Sequence, residues 1–258
     1  MHGVLIDLDG VIYQNDSLIA GADRSVRWLQ HNSIPHLFVT NTTSKPRAAL
    51  VEKLNSMGLD ITPDSLLTPP SAAVAYLKQK GLKSIALFAP SATCSDFADV
   101  SESAAPEAVV IGDLAEEWSF DTLNRAFNLL INNPQAELIA LGMSRYYRSG
   151  DMLKLDVGPF AAALAFATEK EPVVMGKPSP AFFQQAADLL GLKPVDLCMI
   201  GDDIKADVTG AQVCGIKGAL VKTGKFRPED LVRGRPDIVL DSFADLPDAW
   251  ERFQASDS

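Results

Sequence analysis

A buried strand that ends in two acidic residues is the feature that most constrains this chain. The apolar run Val4–Leu8 contains Asp7, and Asp9 and Gly10 follow it directly. Successive side chains of a strand alternate between its two faces, so Asp7 and Asp9 point the same way. Short apolar runs are typical of buried strands in parallel sheets, whose carboxyl ends line the crevice where open α/β sheets bind ligands. The pair is therefore predicted to lie at the ligand-binding edge of a parallel sheet.

Taken alone, this segment also fits a plainer interpretation. Aspartates at a strand end commonly cap a turn or the next helix. A calcium-binding loop that begins at Asp7 is excluded, because such a loop needs Gly at position 12 and Glu at position 18, where the chain has Ile12 and Leu18.

Three further apolar runs end in polar residues that suit phosphate chemistry. The first ends in Thr40–Thr43, where hydroxyls and backbone amides precede a helical pattern. The second is followed by Lys177, which stands between Gly and Pro, and the third by Asp202, Asp203 and Asp207. Each alone is also consistent with a helix cap or an ordinary surface residue. Their succession at four strand ends favours a shared site.

In this order, the four segments resemble the motifs of the haloacid dehalogenase-like phosphatase superfamily. The motifs match Asp7–Val11, Thr40, Lys177 and Gly201–Asp207. The long stretch between the second and third motifs resembles the cap of class IIA, the branch that includes 4-nitrophenylphosphatase-like and pyridoxal phosphate phosphatases. The resemblance covers nearly the whole chain.

Three other segments resemble one subgroup of that class, the phosphatases of phospholysine, phosphohistidine and inorganic pyrophosphate. They are Ser144–Tyr147, Leu155–Phe160 and Gly224–Pro228. Hydrolysis of pyrophosphate or of a P–N bond is therefore an alternative to hydrolysis of phosphomonoesters.

The four segments supply what phosphoryl transfer to water needs, namely a nucleophile, an acid and positive charge around the phosphoryl oxygens. Asp7 is the candidate nucleophile, which would form an aspartyl phosphate, and Asp9 is the candidate general acid and base. Thr40, the Asn41 backbone and Lys177 are expected to hold the transferring phosphoryl group.

A divalent cation is expected beside these carboxylates, because they and a phosphate dianion would otherwise repel one another. All the candidate ligands are oxygens, which favours Mg²⁺ over zinc. The resemblance implies that Mg²⁺ is bound by the side chains of Asp7 and Asp202 and by the backbone carbonyl of Asp9. It implies that Asp207 supports these ligands, and Asp203 is expected to support them or to bind the metal.

Alternating strand and helix patterns predict an α/β fold with a doubly wound parallel sheet, the Rossmann-like core of the resembled superfamily, and a smaller inserted α/β cap. The core is expected over 1–70 and 173–258 and the cap, of the C2 type, over 71–172. The predicted core strands are 3–8, 36–40, 66–68, 173–175, 197–201, 217–222 and 237–240, and the cap strands lie near 84–89, 108–112 and 137–142. The predicted helices are 22–31, 45–57, 71–80, 120–131, 159–168, 179–190 and 203–213.

The cap is expected to exclude water and to select the leaving group. Tyr146, Tyr147 and a loop at Leu155–Gly158 are the candidate substrate contacts, and the alternative is ordinary packing and loop structure within the cap.

Charge and cysteine content limit which partners and which cellular location are expected. The formal net charge of −10 argues against nucleic acid and anionic membranes as partners, and no apolar run reaches the ~18 residues of a membrane helix. Three scattered cysteines are typical of reduced thiols, and no secretion signal opens the chain, so a cytoplasmic location is expected. The expected partner is a small phosphorylated substrate. Whether the chain forms a homo-oligomer is left open.

Two other functional classes fit the sequence less well than phosphate-ester hydrolysis. A phosphoacceptor module of the receiver type could use Asp7, but it needs neither the long insertion nor Asp9. The dehalogenases of the resembled superfamily lack the second aspartate, so dehalogenation is disfavoured.

Overall fold

A computed structural model describes residues 2–149 and 151–255. In chain order the strands are β1 (Gly3–Asp7), β2 (Tyr13–Gln14), β3 (Ser17–Leu18), β4 (His36–Val39), β5 (Leu66–Leu67), β6 (Ser84–Phe88), β7 (Ser101–Glu102), β8 (Ala108–Ile111), β9 (Glu137–Ala140), β10 (Tyr146–Ser149), β11 (Met152–Leu155), β12 (Val173–Val174), β13 (Leu197–Gly201), β14 (Lys217–Val221) and β15 (Ile238–Leu240).

The α-helices are α1 (Ala22–His31), α2 (Arg47–Ser56), α3 (Pro69–Lys80), α4 (Phe120–Asn132), α5 (Val157–Thr168), α6 (Pro180–Leu190), α7 (Gly210–Val213), α8 (Asp230–Arg233) and α9 (Leu246–Ala255). A π-helical segment, Ile204–Thr209, precedes α7. Short 3₁₀ turns lie at Pro63–Ser65, Ser91–Phe97, Ala115–Glu117, Pro194–Asp196 and Phe243–Asp245.

The first sheet is parallel and has six strands in the order β15-β14-β13-β1-β4-β5. Every residue of the neighbouring strands β1 and β13 is buried. One face of β1 contributes Val4 and Ile6 to a core that also contains Val26 and Leu29 of α1. Because a parallel sheet is normally covered by helices on both faces, its strands are apolar throughout rather than alternating. The predicted α/β class is confirmed.

The second sheet is also parallel and has five strands in the order β12-β9-β8-β6-β7. Val109 of β8 packs in one apolar core with Leu130 of α4 and Leu164 of α5. Two antiparallel hairpins, β2-β3 and β10-β11, complete the strand set of the described residues. Neither hairpin was predicted, because each strand is short and lacks a clear apolar alternation.

Grouping by contacts divides the chain into two compact units. The first comprises the residues through Thr40, Ala48–Leu67 and the residues from Lys177 onward, and the second comprises Asn41–Arg47 and Thr68–Gly176. The sequence predicts a core-sheet strand at 173–175, but Val173 of β12 pairs with Ile139 of β9 in the second sheet. A two-residue apolar strand does not reveal which sheet edge it joins, so only the pairing assigns it.

Across the described ranges 2–149 and 151–255, none of the helices has both the length and the apolar character required to span a membrane.

Candidate active site

The end of strand β1 places Asp7 beside a buried lysine from a distant part of the chain. Lys177 Nζ lies 2.7 Å from Asp7 Oδ1 and 2.7 Å from Asp207 Oδ1. The three side chains are 3%, 10% and 1% exposed, respectively. Burial lowers the pKa of Lys177, but the charges of Asp207 and Asp7 outweigh burial and raise it above its usual range. Lys177 is therefore held as a cation between two carboxylates, as buried charges require.

Local sequence explains why Lys177 is fixed in this position. It lies at a turn between β12 and α6, and Pro178 follows it. The Ser179 hydroxyl accepts a hydrogen bond from the Ala181 N–H, which caps α6, and Pro180 occupies the first turn of that helix. Ser at a helix N-cap and Pro in the first turn are both favourable. The start of α6 thus fixes the backbone next to Lys177.

A third carboxylate joins this group from the end of strand β13. Carboxylate oxygens of Asp7, Asp202 and Asp207 all lie within 4.8 Å of one another. Asp202 Oδ2 accepts a hydrogen bond of 2.7 Å from the Lys225 N–H. Asp202 Oδ1 is buried and has no hydrogen-bond partner within the described part of the chain.

The electrostatics of Asp202 fit a cation site. Burial, the largest cause, raises its pKa to about 6, while Lys225 lowers it and Asp207 and Asp203 raise it. A bound cation would supply the partner that Oδ1 lacks and would favour the ionised carboxylate. A buried cluster of oxygen donors with one unsatisfied atom therefore fits a hard divalent metal ion.

The structure gives Asp207 and Asp203 separate positions that the sequence did not distinguish. Asp207, expected only to support the metal ligands, contributes an oxygen to the carboxylate cluster itself. Asp203 caps the π-helical segment, because Oδ1 accepts hydrogen bonds from the N–H groups of Lys205 and Ala206 at 2.9 and 3.0 Å. The Asp203 N–H also donates to Asp207 Oδ2 at 3.1 Å. A regular helix predicted over 203–213 is thus replaced by the segment Ile204–Thr209 followed by the short helix α7.

Asp9 lies two residues beyond Asp7 and is exposed. It forms a bridge with Tyr13, and the Gly10 N–H donates a hydrogen bond of 2.7 Å to the Tyr13 carbonyl. The turn between them therefore fixes the backbone of Asp9 and leaves its carboxylate accessible. Accessibility suits a group that exchanges protons with water and with a leaving group.

Two glycines without a predicted role in the site lie against Asp202. Gly10 has a φ of 82° and Gly224 a φ of 66°. A Cβ at either position would lie 2.1 Å from Asp202 Oδ2. The Thr223 hydroxyl, next to Gly224, donates a hydrogen bond to the Gly10 carbonyl. Both the left-handed backbone and the close approach require glycine. The sequence signal for Gly224 was the segment Gly224–Pro228, which carried no role by itself.

Thr40 and Asn41 lie at the end of strand β4. Thr40 is 4% exposed, and its N–H donates a hydrogen bond of 3.1 Å to the carbonyl of Leu67. Asn41 lies next to Gly176, since a Cβ on that glycine would be 3.3 Å from Asn41 Oδ1. Thr40 is thus fixed by the first sheet, and Asn41 lies beside the residue that precedes Lys177.

The two tyrosines of the second unit lie on strand β10. Tyr146 is opposite Leu155 and Tyr147 is opposite Lys154 in the hairpin with β11. Tyr146 is 54% exposed and Tyr147 is half-buried. The predicted loop at Leu155–Gly158 is wrong. Leu155 ends β11, and α5 begins at Val157, whose N–H donates to Asp156 Oδ1 at 2.7 Å.

Comparison with protein families gives two matches, which lie in separate parts of the chain. A model described as haloacid dehalogenase-like hydrolase matches residues 4–101. A second model of HAD-hydrolase-like proteins matches residues 174–246. Each of the residues Asp7, Lys177, Asp202 and Asp207 lies within one of these ranges.

Several curated proteins and solved structures are similar over nearly the full length. The phospholysine phosphohistidine inorganic pyrophosphate phosphatase of Homo sapiens is 39% identical over 95% of this chain and 91% of its own length. The haloacid dehalogenase-like hydrolase domain-containing protein 2 of Bos taurus is 38% identical over 94% and 93%, respectively. The structure of a p-nitrophenyl phosphatase from Archaeoglobus fulgidus superimposes with a TM-score of 0.86 at 27% identity, over 96% of this chain and 98% of that one.

Proposed function

Since the chain belongs to the haloacid dehalogenase-like hydrolases and is a phosphatase, we propose that it hydrolyses phosphomonoesters of small metabolites through an aspartyl phosphate on Asp7. The observation that carries this proposal is the position of Asp7. Its carboxylate is 10% exposed, lies 2.7 Å from Lys177 Nζ and shares a cluster with Asp202 and Asp207. An aspartate at the end of a strand beside a fixed cation is suited to attack phosphorus, because the cation offsets the negative charge of the phosphoryl oxygens.

The proposed reaction divides one displacement into two. A carboxylate oxygen of Asp7 attacks phosphorus, and the bond between phosphorus and the leaving-group oxygen breaks. Asp9 donates a proton to that oxygen. Asp9 then accepts a proton from water as the water attacks the aspartyl phosphate, which releases inorganic phosphate and restores Asp7.

Lys177, Thr40 and the backbone of Asn41 are proposed to bind the phosphoryl group. Lys177 places positive charge near its oxygens, and the Thr40 hydroxyl and the Asn41 N–H are donors at the end of the neighbouring strand β4. Fixed donors and charges of this kind stabilise the charge of the transition state without rearrangement.

The metal is proposed to be Mg²⁺, held by Asp7, Asp202 and the backbone carbonyl of Asp9. Asp207 and Asp203 would support it, because Asp207 is part of the cluster and Asp203 fixes Asp207 through its N–H. The unpaired oxygen of Asp202 and a donor set made only of oxygens support this assignment. When bound, the cation balances the negative charge of the carboxylates and of the phosphoryl oxygens.

The second unit is proposed to be a cap of the C2 type that selects the leaving group, with Tyr146 and Tyr147 as its substrate contacts. Tyr146 is 54% exposed and is therefore available to a ligand. We further propose a cytoplasmic location, because all three cysteines are free, and reduced thiols are typical of that compartment.

A second candidate function is hydrolysis of inorganic pyrophosphate or of a P–N bond. The name of the human relative, which is 39% identical, favours it. Both reactions use the same attack by Asp7 on phosphorus and differ in the leaving group. Turnover of the Mg²⁺-loaded protein on p-nitrophenyl phosphate, pyrophosphate and a phosphoramidate ranks the candidates directly.

The decisive test replaces Asp7 by Asn, which keeps the size of the side chain and removes the nucleophile. The variant should keep its fold, as measured by circular dichroism, and less than ~1% of the wild-type kcat on p-nitrophenyl phosphate. Asp113→Asn is the matched control, because Asp113 also follows a strand but caps a turn through the Ala115 N–H at 3.0 Å. A folded Asp7→Asn variant that keeps a tenth of the wild-type rate would overturn the assignment.

A further inference from the structure

The residue before helix α2 cannot cap the helix with its side chain. The residue before Arg47 is Pro46, whose side chain has no hydrogen-bond acceptor. The Arg47 N–H instead donates to a carboxylate from far along the chain, with distances of 3.2 and 3.1 Å to Asp96 Oδ1 and Oδ2. Asp96 thereby supplies the acceptor that Ser, Thr, Asp or Asn normally supplies from the position before a helix.

Asp96 lies among buried residues of a short turn. It lies in the 3₁₀ turn Ser91–Phe97 and is half-buried. On either side of it Phe97 is 3% exposed, and the buried Thr93 donates a hydrogen bond of 2.9 Å from its hydroxyl to the Pro90 carbonyl. Burial raises the pKa of Asp96, and the Arg47 N–H opposes that shift. The carboxylate is thus partly shielded from solvent and paired with the Arg47 N–H.

The segment that Asp96 anchors is the one proposed to bind phosphate. Residues 41–46 contain neither strand nor helix and connect Thr40 to α2. At one end the Thr40 N–H is bound to the Leu67 carbonyl at 3.1 Å, and at the other end the Arg47 N–H is bound to Asp96. A hydrogen bond from the backbone therefore fixes each end of the loop, and Asp96 supplies the acceptor at the end that leads into α2.

We propose that Asp96 is a positioning residue that holds the phosphate-binding loop, residues 40–46, by capping helix α2. The inference rests on the proposed function, because it takes Thr40 and Asn41 as phosphate ligands. Asp96 contacts the Arg47 backbone and acts through it on the loop.

A loop that holds the phosphoryl group binds it in the substrate, in the transition state and in the product. Loosening the loop should therefore raise KM and the inhibition constant Ki of inorganic phosphate together, with a smaller change in kcat. Loss of a helix cap without this function would lower the melting temperature and leave both constants unchanged.

The test compares Asp96→Ala and Asp96→Asn in the full chain with Mg²⁺. Asp96→Ala removes both acceptors and should raise the Ki of inorganic phosphate and the KM of p-nitrophenyl phosphate by about fivefold to tenfold, the scale of one lost cap. Asp96→Asn keeps an amide oxygen as acceptor and should recover most of the loss. Recovery by Asn separates the hydrogen bond from the negative charge.

Ser119→Ala is the matched control. Ser119 caps α4 in the second unit by accepting a hydrogen bond of 3.1 Å from the Thr122 N–H. Its loss should lower the melting temperature as Asp96→Ala does and leave Ki unchanged. The proposal is overturned if Asp96→Ala keeps the wild-type Ki, or if Ser119→Ala raises Ki equally.

Thr40→Ala separates this inference from the function on which it rests. If Thr40→Ala weakens phosphate binding and Asp96→Ala does not, only the positioning role fails. If Thr40→Ala also binds phosphate as the wild type does, the assignment of the loop itself is wrong.

Discussion

The two parallel sheets are built alike, but different residues stand at the ends of their strands. In the first sheet, β1 ends in Asp7, and Asp202 follows the end of β13. In the second sheet, β8 is followed by Gly112 and Asp113, and β9 by Leu141 and Gly142. Both sheets are parallel with helices packed against them, so fold alone does not produce the site.

The aspartates at the strand ends of the two sheets differ in the same way. Asp113 accepts a hydrogen bond from the Ala115 N–H and caps a turn, which is the ordinary role of an aspartate after a strand. Asp7 instead contacts Lys177 Nζ, and Asp202 keeps one buried oxygen without a hydrogen-bond partner in the described ranges. Unsatisfied or charge-paired carboxylates cost stability, so they indicate selection for chemistry rather than for folding.

Among the substitutions that distinguish the first sheet from the second, Asp9→Asn is expected to lower the rate most. Asp9→Asn should lower kcat on an alkyl phosphate by ~10²- to 10⁴-fold, because a poor leaving group needs its proton. The loss on p-nitrophenyl phosphate should be smaller, since p-nitrophenolate leaves without much help. Steady-state kinetics on both substrates measure the ratio, with Asp113→Asn as the control from the second sheet. Equal losses on the two substrates would exclude Asp9 as the acid.

Lys177→Ala should have the next largest effect. Removal of one fixed charge beside the phosphoryl group should cost ~2 to 4 kcal/mol of transition-state stabilisation. The measurement is kcat/KM on p-nitrophenyl phosphate. Lys170→Ala in the second unit, where the ammonium group donates to the Pro134 carbonyl, should leave kcat/KM unchanged. A wild-type rate for Lys177→Ala would mean that the ion pairs of this lysine serve only the structure.

The second unit should contribute to selection rather than to reaction. Replacing Tyr146 or Tyr147 by Ala should change the relative kcat/KM among substrates by ~1 to 3 kcal/mol, the range for one altered contact in a pocket. Turnover of a small substrate such as acetyl phosphate should hardly change. If both variants keep the parent's substrate ranking, these tyrosines are packing residues, and they do not give the second unit a role in substrate selection.

The smallest effect concerns stability, and it follows from the pKa of Asp202. That pKa is raised from 3.8 to about 6 by burial, so the folded metal-free protein retains a proton that the unfolded chain has lost. Stability without metal should therefore fall as the pH rises from about 4 to about 6. Mg²⁺ binds the ionised carboxylate, so the melting temperature gained from Mg²⁺ over a chelator should be at least ~2 °C larger at pH 7.5 than at pH 5. Asp202→Asn should abolish this difference, and Asp113→Asn should preserve it.

Sequence patterns predicted the elements that position the site because each is long or ends in a distinctive residue. The helix at 22–31 was predicted at its observed bounds, and the strand at 197–201 likewise. The placement of Asp7 and Lys177 at strand ends led to the expectation that they share a site, and their atoms lie 2.7 Å apart. Strand ends of one parallel sheet meet at one edge, which accounts for Asp7 and Asp202, because β1 and β13 are neighbours. Lys177 follows β12 of the second sheet, so strand order within one sheet does not account for its contact with Asp7.

Other parts of the site depend on contacts that no local pattern encodes. The strand at 173–174 is too short to show its partner. The carboxylate of Asp96 accepts from the Arg47 N–H across 49 positions of the chain, and no local pattern identifies Asp96 as that partner. The close approach of Gly10 and Gly224 to Asp202 appears only when three distant turns are assembled. Each of these three features depends on packing between residues that are far apart in the sequence.

The two glycines beside Asp202 also limit how this protein can vary. A methyl group at either would lie 2.1 Å from the same carboxylate oxygen, and each glycine has a left-handed backbone conformation, so even alanine is unfavourable on two independent grounds. A library of random variants selected for turnover should therefore be depleted of all substitutions at Gly10 and Gly224, as strongly as at the aspartates. Relatives that lack one of these glycines should have lost or relocated the acid at position 202. Such paired absences would identify members of the family that have given up phosphate hydrolysis while retaining the fold.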